Sequence, residues 1–166
     1  MLKHYLPIMP EKVETYVEPF FGGGAMFVHI VQNYKPKNLV INDVNKDIIR
    51  VYNSIKNNLP EFTEKLDSYC NVFLPMSKDD RKKYYFEVRH KHAYDYEQWS
   101  EAEQAATLYF LMKTGFNGIF QVNKNTNGRY GTPAGLLNPQ ENLYEVLVTW
   151  VVKVSFLGGV AGTAGK

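Results

Sequence analysis

Two short segments near the start of the chain constrain its fold more than anything else in it. Tyr16-Val17-Glu18-Pro19-Phe20-Phe21-Gly22-Gly23-Gly24-Ala25 reads as an apolar strand running into a turn of three glycines. Asn38-Leu39-Val40-Ile41-Asn42-Asp43 reads as a second strand that ends in an acid. Strand, turn, helix and strand in that order make a βαβ unit, in which the strands lie parallel and their C-terminal ends are neighbours. Asp43 is then expected beside the glycine turn, where a carboxylate can accept both hydroxyls of a ribose. A site for a nucleoside-containing cofactor follows, and a purely structural turn is the competing reading.

The type of nucleoside is narrowed by what the turn lacks. A dinucleotide site needs G-x-G-x-x-G, whose third glycine lets the helix pack closely on the strand. Counting from Gly22, that third position is Phe27, so the fingerprint fails. A phosphate-binding P-loop fails as well, because no Lys-Ser or Lys-Thr pair follows the glycines. S-adenosylmethionine carries an adenosine without phosphate and requires backbone room and an acid for its ribose. Those are the features present here.

The remaining elements follow from caps and breakers. A helix over about 25–33 is stopped by Pro36, ahead of a strand over 38–41. Asn45 is a natural N-cap for a helix whose apolar face is Ile48, Val51, Tyr52 and Ile55. Pro60 suits the first turn of another helix. Ser77 with Asp80 and Ser100 with Glu103 have the form of capping boxes, which predicts helices over 78–90 and 101–113. Beyond Thr114-Gly115-Phe116-Asn117-Gly118, a hairpin is expected, with strands over 119–123 and 129–132 about an Asn127-Gly128 turn.

At 166 residues the chain is one domain, or one domain with an insertion. Its net charge of +2 says nothing about partners, but local charge does. Residues 104–140 contain no acid, while Lys113, Lys124 and Arg129 stand there among Asn117, Gln121, Asn123, Asn125 and Asn127. Such a stretch suits a phosphate backbone, and amides are the side chains that pair with adenine edges; a polar surface loop is the alternative. Residues 78–92 read as a solvated basic helix face, and His90 and His92 fall short of a zinc site. Tyr84, Tyr85, Tyr94, Tyr96 and Trp99 at helical spacing read as core before they read as base-stacking groups. A lone Cys70 and a start without a long apolar run fit a reducing, cytoplasmic setting. Residues 146–164 are poor in charge, but Lys153 near their middle argues against a membrane span.

The motif Tyr16–Phe27, then Ile41-Asn42-Asp43-Val44-Asn45, resemble the cofactor motifs of the Dam-type (class alpha) DNA adenine N6-methyltransferases. Lys113-Thr114-Gly115-Phe116-Asn117-Gly118-Ile119-Phe120-Gln121-Val122-Asn123-Lys124, with Gly128 and Pro133-Ala134-Gly135 beyond, is similar to that family's target-recognition region. The likeness runs from about Leu2 to Leu143. It implies an α/β fold: a partial Rossmann-like S-adenosylmethionine-dependent methyltransferase core with a helical DNA-recognition insertion. The implied division is 1–57 for the cofactor part, 58–139 for target recognition, and 140–166 for the remainder of the core or an aberrant tail. Glu18, Pro19, Phe20, Phe21, Gly22, Gly23 and Gly24 would border the cofactor and Asp43 would hold its ribose. Lys113, Gly115, Asn117, Asn123, Lys124 and Arg129 would face double-stranded DNA. The resemblance suggests GATC as target, although Met112 and Gln121 depart from the Asn and Arg that the motif often carries.

Two expected parts are missing. The family resemblance implies an Asp-Pro-Pro-Tyr catalytic motif, and this sequence has no Pro-Pro pair; Asn138-Pro139-Gln140-Glu141 lacks both the second proline and the aromatic. The family's Gly-Gly-Lys loop is also absent ahead of residues 1–7. The acid-free residues 151–166 suggest a truncated or frame-shifted reading frame. The expectation is therefore an adenine methyltransferase chain with no catalytic or metal-binding residue of its own, inactive alone. A non-catalytic DNA-binding remnant, or half of a split enzyme completed by a complementary fragment, is the alternative.

Overall fold

The computed structural model describes residues 2–135 and 160–164. A short helix α1 (Leu2–Tyr5) precedes β1 (Thr15–Glu18), α2 (Ala25–Tyr34) and β2 (Asn38–Asp43). The strands run parallel, with Thr15 opposite Asn38 and Glu18 opposite Ile41, so their C-terminal ends are level. Helix α2 buries Phe27, Ile30 and Val31 and ends at Lys35, a left-handed residue just before Pro36. On the far edge of β2 a third parallel strand, β3 (Val160–Ala164), pairs from Leu39–Val160 to Asp43–Ala164. The order β1-β2-β3 gives a mixed α/β fold. Part of the segment expected to be aberrant therefore pairs with the sheet. Asn138–Glu141 and the rest of the region weighed as a membrane span lie outside the described residues. Among the described residues no helix is long and apolar enough to cross a membrane.

Four helices follow: α3 (Lys46–Asn57), α4 (Leu59–Phe73), α5 (Lys78–Tyr94) and α6 (Glu101–Thr114). The Asn45 side chain caps α3, accepting from the amides of Asp47 and Ile48. Ser100 and Glu103 form a reciprocal box at α6, with bonds of 3.1 and 3.2 Å. At α5 the box is incomplete. Asp80 is a methylene shorter than Glu, so its carboxylate meets the Ser77 hydroxyl at 2.7 Å rather than the Ser77 backbone N–H.

Helix α6 is the axis of the core and packs on α3, α4 and α5. Its alanines at 102, 105 and 106 are buried, as are Leu108, Tyr109, Phe110 and Leu111. Phe110 stacks on Tyr69 at 5.0 Å between centroids and meets Phe73 edge-on at 5.2 Å. Tyr85 and Tyr96 are core, Tyr94 is exposed.

Helix α5 is not wholly the solvated basic face that its charge pattern predicts. Arg81 and His92 are buried. The Arg81 guanidinium donates to the carbonyls of Phe73 and Leu74, satisfying the open end of α4. The hairpin is also reduced. Its extended pairing consists of one bridge, Val122 with Tyr130, because a 3-10 turn over Lys124–Thr126 and left-handed Asn127 and Gly128 use up the intervening chain.

Candidate functional site

The ends of β1 and β2 are stitched together by side chains as well as backbone. Phe21 N–H donates to the Asn42 carbonyl at 3.0 Å, and the Asn42 amide donates to the Pro19 carbonyl at 3.2 Å. Asp43 Oδ2 accepts from Gly22 N–H at 2.7 Å while Oδ1 accepts from Asn45 N–H at 2.8 Å. The acid is thus directly beside the glycine turn. Each of its oxygens still has a second acceptor direction.

The three glycines play different parts. Gly24 has φ +70°, and a Cβ there would run into the Tyr52 hydroxyl and the Phe21 ring. A Cβ at Gly22 or Gly23 would meet open space. The two phenylalanines divide in the same way. Phe21 is in the core, edge-on to Tyr52 at 4.3 Å and to Phe27 at 5.5 Å, whereas Phe20 is 90% exposed. Pro19 is exposed beside it. Glu18 accepts from the Tyr16 hydroxyl at 2.9 Å, and burial raises the pKa values of both groups.

Gly22 and Gly23 form one side of a pocket with about 430 Å³ of empty space, part of it open to solvent. Ile48, Val51 and Tyr52 of α3 line it, with Tyr109, Met112 and Lys113 of α6. The structure thereby places Lys113, expected on the DNA side, in the pocket of the glycine turn. Its ammonium lies 5.4 Å from the centroid of the Tyr109 ring, and burial lowers its pKa. No group of three or more His, Cys, Asp or Glu side chains gathers for a metal among the described residues.

The loop that begins at Gly115 leaves and rejoins the body at one place. Gly115 bridges Ala134, Phe116 N–H donates to the Pro133 carbonyl, and Gly135 N–H donates to that of Thr114, both at 2.9 Å. Its underside is fastened to the helices. Tyr130 is fully buried and donates to the Leu111 carbonyl, and Tyr85 donates to that of Thr132. Arg89 donates to the carbonyls of Gly131 and Thr132. The outer side exposes Phe116, Ile119 and Val122, interspersed with Asn117, Gln121, Asn123 and Lys124. Asn117 holds a left-handed φ of +53°, and the Asn123 side chain accepts from Asn125 N–H at 2.9 Å. Arg129, expected to face DNA, lies with Cζ 3.6 Å from the centroid of the Tyr96 ring and pairs with Glu97.

Around Tyr96 stands a cluster that sequence reasoning missed. The Tyr96 hydroxyl donates to Asp47 Oδ1 at 2.5 Å, Arg50 pairs with Asp47 at 2.6 Å, and His92 meets the ring edge-on at 5.2 Å. These residues come from α3, α5, the turn after it and the loop, and nothing in their spacing relates them.

Over residues 1–143 the chain matches the D12 class N6 adenine-specific DNA methyltransferases. It is 34% identical over 123 residues to a Type II methyltransferase of Methanocaldococcus jannaschii, a match covering 74% of this chain and 42% of that protein. A Type II methyltransferase of Lactococcus lactis subsp. cremoris is 32% identical over 139 residues, covering 80% and 45%. The DNA adenine methylase of Escherichia coli (strain K12) is 26% identical over 147 residues, covering 86% and 46%. The chain spans about half the length of the curated relatives it matches. With the acid and the glycine turn joined at the strand ends, and the match covering that unit, the helices and the loop, this chain belongs to the D12 class N6 adenine-specific DNA methyltransferase family.

Proposed function

We propose that the chain is the cofactor-binding and target-recognition part of a DNA adenine N6-methyltransferase with a Rossmann-like core. Residues 1–57 form the cofactor part and 58–139 the recognition part. The observation that carries this reading is the 2.7 Å bond from Gly22 N–H to the Asp43 carboxylate, which sets an acid beside an open, side-chain-free turn. S-adenosylmethionine, when bound, supplies an electrophilic methyl group. Asp43 accepts the ribose hydroxyls through its remaining acceptor positions, and Gly22 and Gly23 leave room for close approach. Glu18 and Pro19 border the cofactor with Phe20, which offers an exposed ring, while Phe21 and Gly24 hold the turn from behind. The exposed side of the loop meets double-stranded DNA through Asn117, Asn123 and Lys124, with Gly115 at its root and Lys113 between DNA and cofactor. Arg129 anchors the loop.

The sequence contains no Asp-Pro-Pro-Tyr, so methyl transfer to an adenine-containing duplex by this chain alone is expected to be undetectable. Equilibrium binding of labelled S-adenosylmethionine tests the site itself. Asp43→Ala and Gly23→Ala are each expected to weaken binding by roughly tenfold or more, the cost of a lost charged hydrogen bond or of a methyl in the pocket. Unchanged binding in both variants overturns the assignment. The missing motif favours one second reading, a DNA-binding part that works without chemistry or beside a complementary fragment. Salt-sensitive retention of duplex DNA with no uptake of cofactor would favour it.

A further inference from the structure

Tyr96 touches both α3, the helix that follows Asp43, and the loop of the proposed DNA side. It is 5% exposed. Its hydroxyl donates to Asp47 at 2.5 Å, in the first turn of α3, four residues beyond Asp43. Arg50, one turn further along α3, donates to the same hydroxyl. The Tyr96 ring carries the Arg129 guanidinium at 3.6 Å, and Arg129 belongs to the recognition loop. Glu97, the next residue, takes the other end of that guanidinium.

These contacts continue a line of hydrogen bonds that begins at the glycine turn. Gly22 N–H donates to Asp43, Asn45 N–H donates to Asp43, and Asp47 N–H donates to the Asn45 side chain. The Asp47 carboxylate then receives Tyr96. A charged hydrogen bond is directional, and a guanidinium stacked on a ring is planar, so each link fixes orientation as well as distance.

We propose that Tyr96 is a positioning residue that couples occupancy of the Asp43 turn to the placement of the loop over 123–131. The inference rests on the reading of the site given above. A ligand drawing on Asp43 stiffens the cap of α3, and through Asp47 and Tyr96 it stiffens the seat of Arg129. By linkage, DNA on the loop favours cofactor at the turn to the same extent.

Amide hydrogen exchange tests the tie without ligand. In Tyr96→Phe, amides in the first turn of α3 and those over 123–131 are expected to exchange faster by on the order of tenfold, while those of α4 hold. Arg129→Lys, which keeps the charge but loses the planar stack, is expected to loosen the same two places. Loosening at only one of them in both variants overturns the tie. The coupling is tested with S-adenosylhomocysteine as probe. In the wild type it is expected to slow exchange over 123–131, and in Tyr96→Phe it is expected to bind without that effect. A loop that ignores bound probe in the wild type, or responds equally in Tyr96→Phe, overturns the coupling and leaves the cofactor site standing. A wild type that does not bind the probe fails the cofactor reading, and the coupling falls with it.

Discussion

A methyl group added at Gly24 meets the Tyr52 hydroxyl and the Phe21 ring on backbone already at φ +70°, so Gly24→Ala combines overpacking with strain. The expected loss is about 1–3 kcal/mol, read as a lower urea midpoint. Gly23→Ala adds its methyl to open space and should stay within about 0.5 kcal/mol of the wild type. On the proposed function its effect falls on cofactor binding alone, and that contrast separates a turn kept for folding from a turn kept open for a ligand. His92 carries a different prediction. Both ring nitrogens are buried and have no hydrogen-bond partner among the described residues, and burial pushes the pKa from 6.5 down to about 4. Asp47 and Arg129 act on it in opposite senses. The unfolded chain takes up a proton below pH 6.5 that the folded chain refuses. Stability is therefore complete above that pH, declines as pH falls towards 4, and levels off below, a total of about 3 kcal/mol. Urea denaturation of wild type and His92→Leu at several pH values checks this, since the variant should lack the slope between 6.5 and 4.

At the level of elements, the reciprocal box at Ser100 sets the start of α6, the helix that the core is built around. Ser100→Ala is expected to cost about 1 kcal/mol and to lower the thermal midpoint by a few degrees. Such caps were legible because they are local: Asn45, Ser100 and Glu103 act within four residues of themselves, and the helices begin where these residues predict. Strands β1 and β2 were legible for a related reason, an apolar run leading into Gly22 or Asp43, whereas β3 was not. The placement of Asp43 against Gly22 was also readable, since parallel strands of a βαβ unit end together. Long-range pairings were not. His92 and Arg81 carry the same letters as solvated residues of α5, and only the fold reveals that one lies against Tyr96 and the other closes α4. The seat of Arg129 was not legible either, because the ring it lies over is 33 residues away in the chain. The two-stranded hairpin failed because alternation counts residues and not the backbone bonds spent inside a turn.

For the whole molecule, the charge of the loop matters more than the net +2. Lys124 is exposed on the outer side of the loop, and its replacement by Ala should lower the salt slope of duplex DNA binding by about 1, with nearly equal weakening on every sequence. The closure of the loop at Gly115 and Ala134 has a separate consequence if the loop reads DNA as proposed. Chain that departs and returns through a single doorway can be replaced as a cassette, since neither the sheet nor the helical stack depends on what lies outside. Two plugs would have to survive the exchange, the Tyr130 ring in its socket and the Arg129 guanidinium on Tyr96. On the proposed function, new specificities would arise by swapping the outer residues between those plugs and the doorway, on a scaffold that does not need to be repacked.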